Sequence, residues 1–227
     1  MTVAPELAAA DQPAPIAVDA PLQKTNLLGL ALADLEAEMV ALGLPKFRAR
    51  QVWRWVWRHG LSSFDEMSDL GKPVRELLAA HFSADRPAVS RRLQSVDGTI
   101  KWLIRFADGN EAECVYIPDK ARGTLCISSQ VGCTLTCSFC HTGTQKLVRN
   151  LTIAEICGQV LLAMDELNDW PAGKPGRRLT NIVLMGMGEP LFNYENVANC
   201  DILSSANKVY DALHTTQVGN LGDITKI

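Results

Sequence analysis

Apolar residues fall into a helical rhythm over NLLGLALADLEAEMVALGLP, residues 26 to 45, which predicts a helix stopping near Gly43 and Pro45. KFRARQVWRWVWRHG, 46 to 60, predicts a second helix, with Arg50, Arg54 and Arg58 on one face and Trp53 and Trp57 paired on another. SSFDEMSDLGKPVRELLAAHF, 62 to 82, predicts further short helices, Pro73 being well suited to a first turn. The period then switches to alternation. RLQSVDGTIKWLIRFADGNEAECVYIP, 92 to 118, carries Asp97-Gly98 and Asp108-Gly109 as turn signals and predicts a β-meander. GTLCISSQVG, 123 to 132, predicts a further strand. In LTIAEICGQVLLAMDELNDW, Thr152 and Glu155 occupy capping-box positions, and Ile153, Ile156, Val160, Met164 and Leu167 follow at helical spacing. LTNIVLMGMGEP, 179 to 190, predicts a buried strand ending in glycines. Strand, helix and strand in this order imply a βαβ unit with a parallel pair.

Composition narrows the class. At 227 residues, 47% hydrophobic and a formal net charge of −3, the chain reads as an ordinary soluble protein. It contains no apolar run of transmembrane length. The opening MTVAPELAAADQPAPIAVDAP carries acids and lacks an apolar core segment, so it reads as a flexible Ala/Pro-rich tail rather than a signal peptide. Seven cysteines, several of them bunched, do not suggest a secreted disulfide framework. A cytoplasmic location follows, where clustered thiols point to metal binding or catalysis. The acid-free arginine face of 46 to 60 reads either as a solvated helix side over two core tryptophans or as a phosphate-contacting surface.

The chemistry concentrates in GCTLTCSFCHTGT, 132 to 144, where Cys133, Cys137 and Cys140 fall within eight residues. Three thiolates in one loop suit an iron–sulfur cluster and leave one iron without a protein ligand. A structural zinc site drawing on His141 or a distant cysteine is the competing reading. One βα unit later comes GMGEP, Gly186 to Pro190. Backbone at a strand's carboxyl end, with the Glu189 carboxylate, can receive an amino-acid-like ammonium. Taken alone, Cys126 reads as a small buried strand residue and Glu113 as a solvated carboxylate. Cys114 and Cys157 read as packing residues, and His141 as a polar loop residue.

These stretches resemble the radical S-adenosylmethionine (SAM) superfamily, and within it the bacterial enzymes that methylate adenine C2 of 23S rRNA and certain tRNAs. The resemblance runs through GLPKFRARQVWRWVWRHG, EAECVYIPDKARGTLCISSQVGCTLTCSFCHTGTQKLVRNLTIAEICGQV and LTNIVLMGMGEPLFNYENV. It implies that Cys133, Cys137 and Cys140 hold a 4Fe–4S cluster whose open iron is chelated by SAM. It further implies that Gly188 and Glu189 contact the SAM methionine end, and that SAM is reductively cleaved to a deoxyadenosyl radical. By the same resemblance Glu113 is a proton acceptor, and Cys126 resolves a covalent RNA adduct through a transient disulfide. It also implies RNA as partner, an electron donor such as flavodoxin, and a monomer without membrane association. A C8-methylating relative shares the cysteine loop, and a metal-stabilised RNA-binding module without catalysis is the reading from another class.

The expected architecture is α/β: a partial radical SAM (βα) barrel preceded by a small helical domain and a β-meander. The expected divisions are a tail at 1–23, a helical domain at 24–90, a meander linker at 91–120, a partial core at 121–197, and a segment at 198–227 outside the family pattern. The resemblance stops after Val197, before any methyl-accepting cysteine, and Cys200 does not match that motif. The expectation is a truncated chain without methylation activity and with poor solubility. In particular, Ile156, Val160 and Met164 are expected to lie uncovered for want of barrel neighbours.

Overall fold

In the computed structural model the described residues are 24–120, 122–173 and 175–200. The 1–23 tail, nearly all of the 198–227 segment and two single positions lie outside them. The described residues begin with β1 (Thr25–Asn26), followed by a 3-10 turn at Leu27–Gly29 and helices α1 (Leu32–Ala41), α2 (Arg48–His59) and α3 (Lys72–His81). Next come β2 (Phe82–Ser83), β3 (Ala88–Gln94), β4 (Ile100–Arg105), β5 (Glu111–Asp119), β6 (Arg122–Cys126) and β7 (Gln130–Val131). The remainder is β8 (Arg149–Asn150), α4 (Ile153–Glu166), β9 (Asn181–Val183) and α5 (Tyr194–Ala198).

One five-stranded sheet, in the order β3-β4-β5-β6-β9, carries the molecule. The first four strands run antiparallel through tight turns, and Gly98 and Gly109 take the left-handed conformations that the two Asp-Gly pairs favour. β6 and β9 are parallel, with α4 as the crossover between them. The meander therefore continues into the βαβ unit as one sheet. Alternation assigns the two faces. Trp102, Ile104, Ala112, Cys114, Tyr116, Leu125 and Ile127 join the buried residues of α4 in one continuous core. Lys101, Leu103, Glu113, Val115, Thr124 and Cys126 occupy the opposite, half-buried face.

α4 starts on a complete capping box. Thr152 accepts from the Glu155 backbone at 3.3 Å, and the Glu155 carboxylate accepts from the Thr152 N–H at 2.9 Å. Such caps contribute about 1 kcal/mol. Glu155 also takes both arms of the Arg149 guanidinium at 2.8 Å, tying β8 to the helix start.

Ile156, Val160 and Met164 are not left uncovered: all three are buried. Their cover comes partly from the N-terminal half. Leu28 and Pro87 crowd Gly158, Ala154 touches Gly29, and Leu27 and Leu28 are themselves buried. The Arg86 guanidinium bridges Asp165 at the end of α4 and the Gly60 carbonyl after α2, so the helical part is fastened to the crossover helix.

Three further expectations change. The 179 to 190 stretch forms a strand only over Asn181–Val183. Beyond it the backbone follows residues 127 to 130 irregularly, through Gly186 N–H to Ile127 O and Ser129 N–H to Met187 O. The buried side of α2 is Ala49, Val52 and Val56; Trp53 and Trp57 are partly buried, with ring centroids 5.3 Å apart. Finally, Cys157 does more than pack: it forms a disulfide with Cys200, with the Cα atoms 6.1 Å apart.

Candidate functional site at the strand ends

The cysteine loop and the GMGEP segment emerge from the carboxyl ends of neighbouring parallel strands, β6 and β9. This is where ligands sit in α/β folds. β7 and β8 pair as a short ribbon and hold the base of the loop, with Val131 opposite Arg149. Gly132 turns the chain in a left-handed conformation close to the Lys146 carbonyl. Cys133, Cys137 and Cys140 then follow, all partly exposed and all free thiols. Gly143 lies against the Cys137 backbone, folding the loop back on itself.

Among the described residues, no three His, Cys, Asp or Glu side chains converge as a ready-made metal site. The donor set nevertheless fits a thiolate-bound metal. Backbone N–H groups at Gly143 and Thr142 hold the Cys140 thiol below its usual range, which favours the anion that binds metal. His141 is exposed on the same loop.

Buried polar side chains stitch the two segments together. The Ser128 hydroxyl donates to the Glu113 carbonyl at 2.6 Å and accepts from the Met187 N–H at 2.8 Å. Gln159, buried on α4, accepts from the Ser128 N–H at 2.8 Å and donates to the Ser128 carbonyl at 2.9 Å. Asn193 donates to the Ser129 and Leu151 carbonyls. Gly186 and Gly188 are required by this packing: an added Cβ would lie 2.7 Å from the Ile127 carbonyl oxygen and 2.5 Å from the Gln130 Cβ, respectively. The Glu189 side chain accepts from the Leu191 N–H at 3.2 Å, capping the following turn. The sequence pattern does not single out Ser128, Gln130, Gln159 or Asn193: SSQVG carries no period that marks its polar residues as buried, and Gln159 and Asn193 are lone polar residues whose partners lie in distant segments.

Glu113 and Cys126 share the half-buried sheet face. Val115 sits directly across from Cys126, and Glu113 is two residues along the same strand. The Lys101 ammonium donates to Glu113 at 2.8 Å from β4. Burial pushes the Cys126 thiol up, the Met185 backbone N–H pulls it partly back, and the Glu113 carboxylate adds a smaller push. Cys126 is thus a protonated thiol at neutral pH. Removing the carboxylate charge lowers the thiol's pKa, so Glu113→Gln is expected to speed Cys126 alkylation at fixed pH. Peptide mapping after timed iodoacetamide treatment checks this; slower alkylation of the variant would contradict it. Cys114, on the core face and fully buried, has its thiol pushed far up by burial and serves packing alone.

The N-terminal arginine face is exposed but less positive than its sequence implies. Glu36 of α1 lies 3.0 Å from Lys46 and 3.4 Å from Arg50, and Asp69 lies 2.9 Å from Arg54. Acids brought in from other elements therefore offset part of the positive charge.

Comparison with known proteins places these features. The N-terminal part, residues 25–83, matches the family model described as the ribosomal RNA large subunit methyltransferase N-terminal domain. The chain is 58% identical over 182 residues to the dual-specificity RNA methyltransferase RlmN of Cereibacter sphaeroides, covering 77% of this chain and 46% of that protein. It is 49% identical over 218 residues to RlmN of Bradyrhizobium sp., covering 89% of this chain and 54% of the relative. The chain belongs to the RlmN family. A crystal structure of a radical SAM methyltransferase from Sphaerobacter thermophilus superposes with a TM-score of 0.69 at 42% identity, over 78% of this chain and 50% of that one. The fold is thus a partial radical SAM fold, and the chain spans about half the length of the RlmN relatives it matches. No helix among the described residues is long and apolar enough to cross a membrane.

Proposed function

We propose that this chain carries the cofactor-binding half of a radical SAM methyltransferase acting on adenine C2 of 23S rRNA and tRNA. The supporting observation is the juxtaposition of a three-thiol loop and the Gly186–Glu189 segment at the ends of β6 and β9, beside a sheet face bearing Glu113 and Cys126. In this reading Cys133, Cys137 and Cys140 hold a 4Fe–4S cluster, and Gly188 with Glu189 receives the methionine end of SAM. When bound, these groups supply a reductively generated carbon radical, the chemistry that an electron-poor ring carbon between two nitrogens requires.

The chain's own residues then have separable tasks. Glu113 accepts a proton at its carboxylate, which Lys101 holds on the sheet face. Cys126, kept as a thiol by its half-buried setting, would attack the sulfur of an RNA thioether carried by a cysteine outside residues 1–227, the S–S bond forming as the C–S bond breaks and the released carbon takes up a proton to become the methyl group. Residues 24–90 act as the domain that assists RNA recognition, and residues 121–197 as the cofactor core. RNA is the partner by analogy with the named activity of the relatives, and a flavodoxin-type protein in the cytoplasm supplies electrons.

The test is anaerobic reconstitution with iron and sulfide, followed by reductant and SAM. Formation of 5′-deoxyadenosine, scaling with iron loading, is expected. A colourless protein that holds zinc and leaves SAM intact would instead indicate a metal-stabilised RNA-binding module.

A further inference from the structure

Gln130 lies between the two halves of the site and touches both. Its side chain is fully buried. The carbonyl oxygen accepts from the Thr134 N–H at 3.2 Å, one residue after Cys133, and from the Glu189 N–H at 3.0 Å. The amide nitrogen donates to Thr134 Oγ1 at 2.8 Å and to Asn150 Oδ1 at 2.7 Å, on the β8 strand that closes the loop. Its backbone N–H donates to the Met187 carbonyl at 3.2 Å, and its Cβ is in close contact with Gly188.

A buried carboxamide left without partners is costly, so these contacts over-determine its one orientation. The consequence is geometric. The thiol loop is rich in threonine and glycine, and the Gly186–Glu189 segment follows a strand of only three residues, so regular secondary structure sets the position of neither. A ligand whose amino-acid group must meet metal and protein backbone together needs those two segments at a fixed separation.

We infer that Gln130 is the positioning residue that locks the cysteine loop to the Gly188-Glu189 turn, so that metal and SAM are presented in register. The inference rests on the radical SAM reading and assigns that site a residue that touches neither the metal nor the reacting atoms.

The experiment uses the 227-residue chain, reconstituted anaerobically, with Gln130→Met and Gln130→Glu variants. Iron per chain, the thermal unfolding midpoint and the SAM-induced change in the electron paramagnetic resonance of the reduced cluster are measured together. Gln130→Met keeps the shape and loses the hydrogen bonds. It is expected to stay folded and iron-loaded while needing about tenfold more SAM for the spectral change. Gln130→Glu, its carboxyl group held neutral by burial, keeps an acceptor oxygen for both N–H groups and an O–H to donate toward Asn150 Oδ1, and is expected to recover most of the response.

A Gln130→Met titration indistinguishable from the unsubstituted chain would overturn the inference. So would loss of iron, fold and SAM response in parallel in both variants, the pattern of a merely structural residue. Should Gln130→Met fail to fold, Thr134→Val removes the hydroxyl partner alone, and an unchanged SAM titration there overturns the inference equally. If the unsubstituted chain takes up iron yet ignores SAM, or takes up no iron, the radical SAM reading itself is at fault and the inference falls with it.

Discussion

Gly132→Ala is expected to unseat the cysteine loop. Gly132 has a φ of +76°, and a Cβ there would lie 2.1 Å from the Lys146 carbonyl oxygen. The left-handed conformation alone costs an L-residue roughly 1–2 kcal/mol. The contact adds to this because its partner is backbone, which cannot rotate away. Lys146 is held by its bridge to Cys133, and the Val148 N–H donates to the Val131 carbonyl at 2.9 Å. Relief therefore means opening the β7–β8 ribbon, and the total penalty is on the order of 3 kcal/mol. Urea unfolding of the variant is expected to shift to lower midpoint with loss of most reconstituted iron. Unaltered stability together with full iron loading would show that the loop is not anchored at this turn.

The second large effect concerns the thiols. Replacing any one of Cys133, Cys137 or Cys140 by alanine is expected to abolish cluster formation, because two thiolates cannot retain a cubane that already has one iron without a protein ligand. Cys114→Ala and Cys157→Ala are expected to retain the cluster. Cys114 faces the core, and Cys157 is joined to Cys200 outside the loop. Iron and acid-labile sulfide analysis with visible absorption separates the outcomes. Retention in a loop variant would mean that another side chain, His141 being the exposed neighbour, supplies a ligand.

What the sequence disclosed follows the range of the forces involved. The capping box at Thr152 and Glu155 and the two Asp-Gly turns are local, so spacing alone predicts α4 and the meander. The three thiols are adjacent in sequence, and their chemistry is legible without a fold. Glu113 and Cys126, thirteen positions apart, stand out only through the family resemblance, and the antiparallel register of β5 and β6 supplies the physical reason for their proximity.

Contacts between distant segments were not legible. The cover that Leu28 and Pro87 give α4 comes from segments far earlier in the chain, so the sequence of the helix alone does not announce it. Glu36 and Asp69 come from outside α2, and no pattern within that helix announces that they approach its arginines. Gln130 sits in a short polar run, where burial depends on β8 and on residues near 189 that arrive much later.

The proposed function requires a cluster bound by three thiolates with one metal corner left to SAM. Hyperfine spectroscopy of the reduced, reconstituted chain with SAM labelled at its amino nitrogen and carboxylate oxygen tests this directly. Coupling from both labels to a single iron of a 4Fe–4S cluster is the predicted result. A cluster or ion ligated wholly by protein, with no coupling from either label, would contradict it.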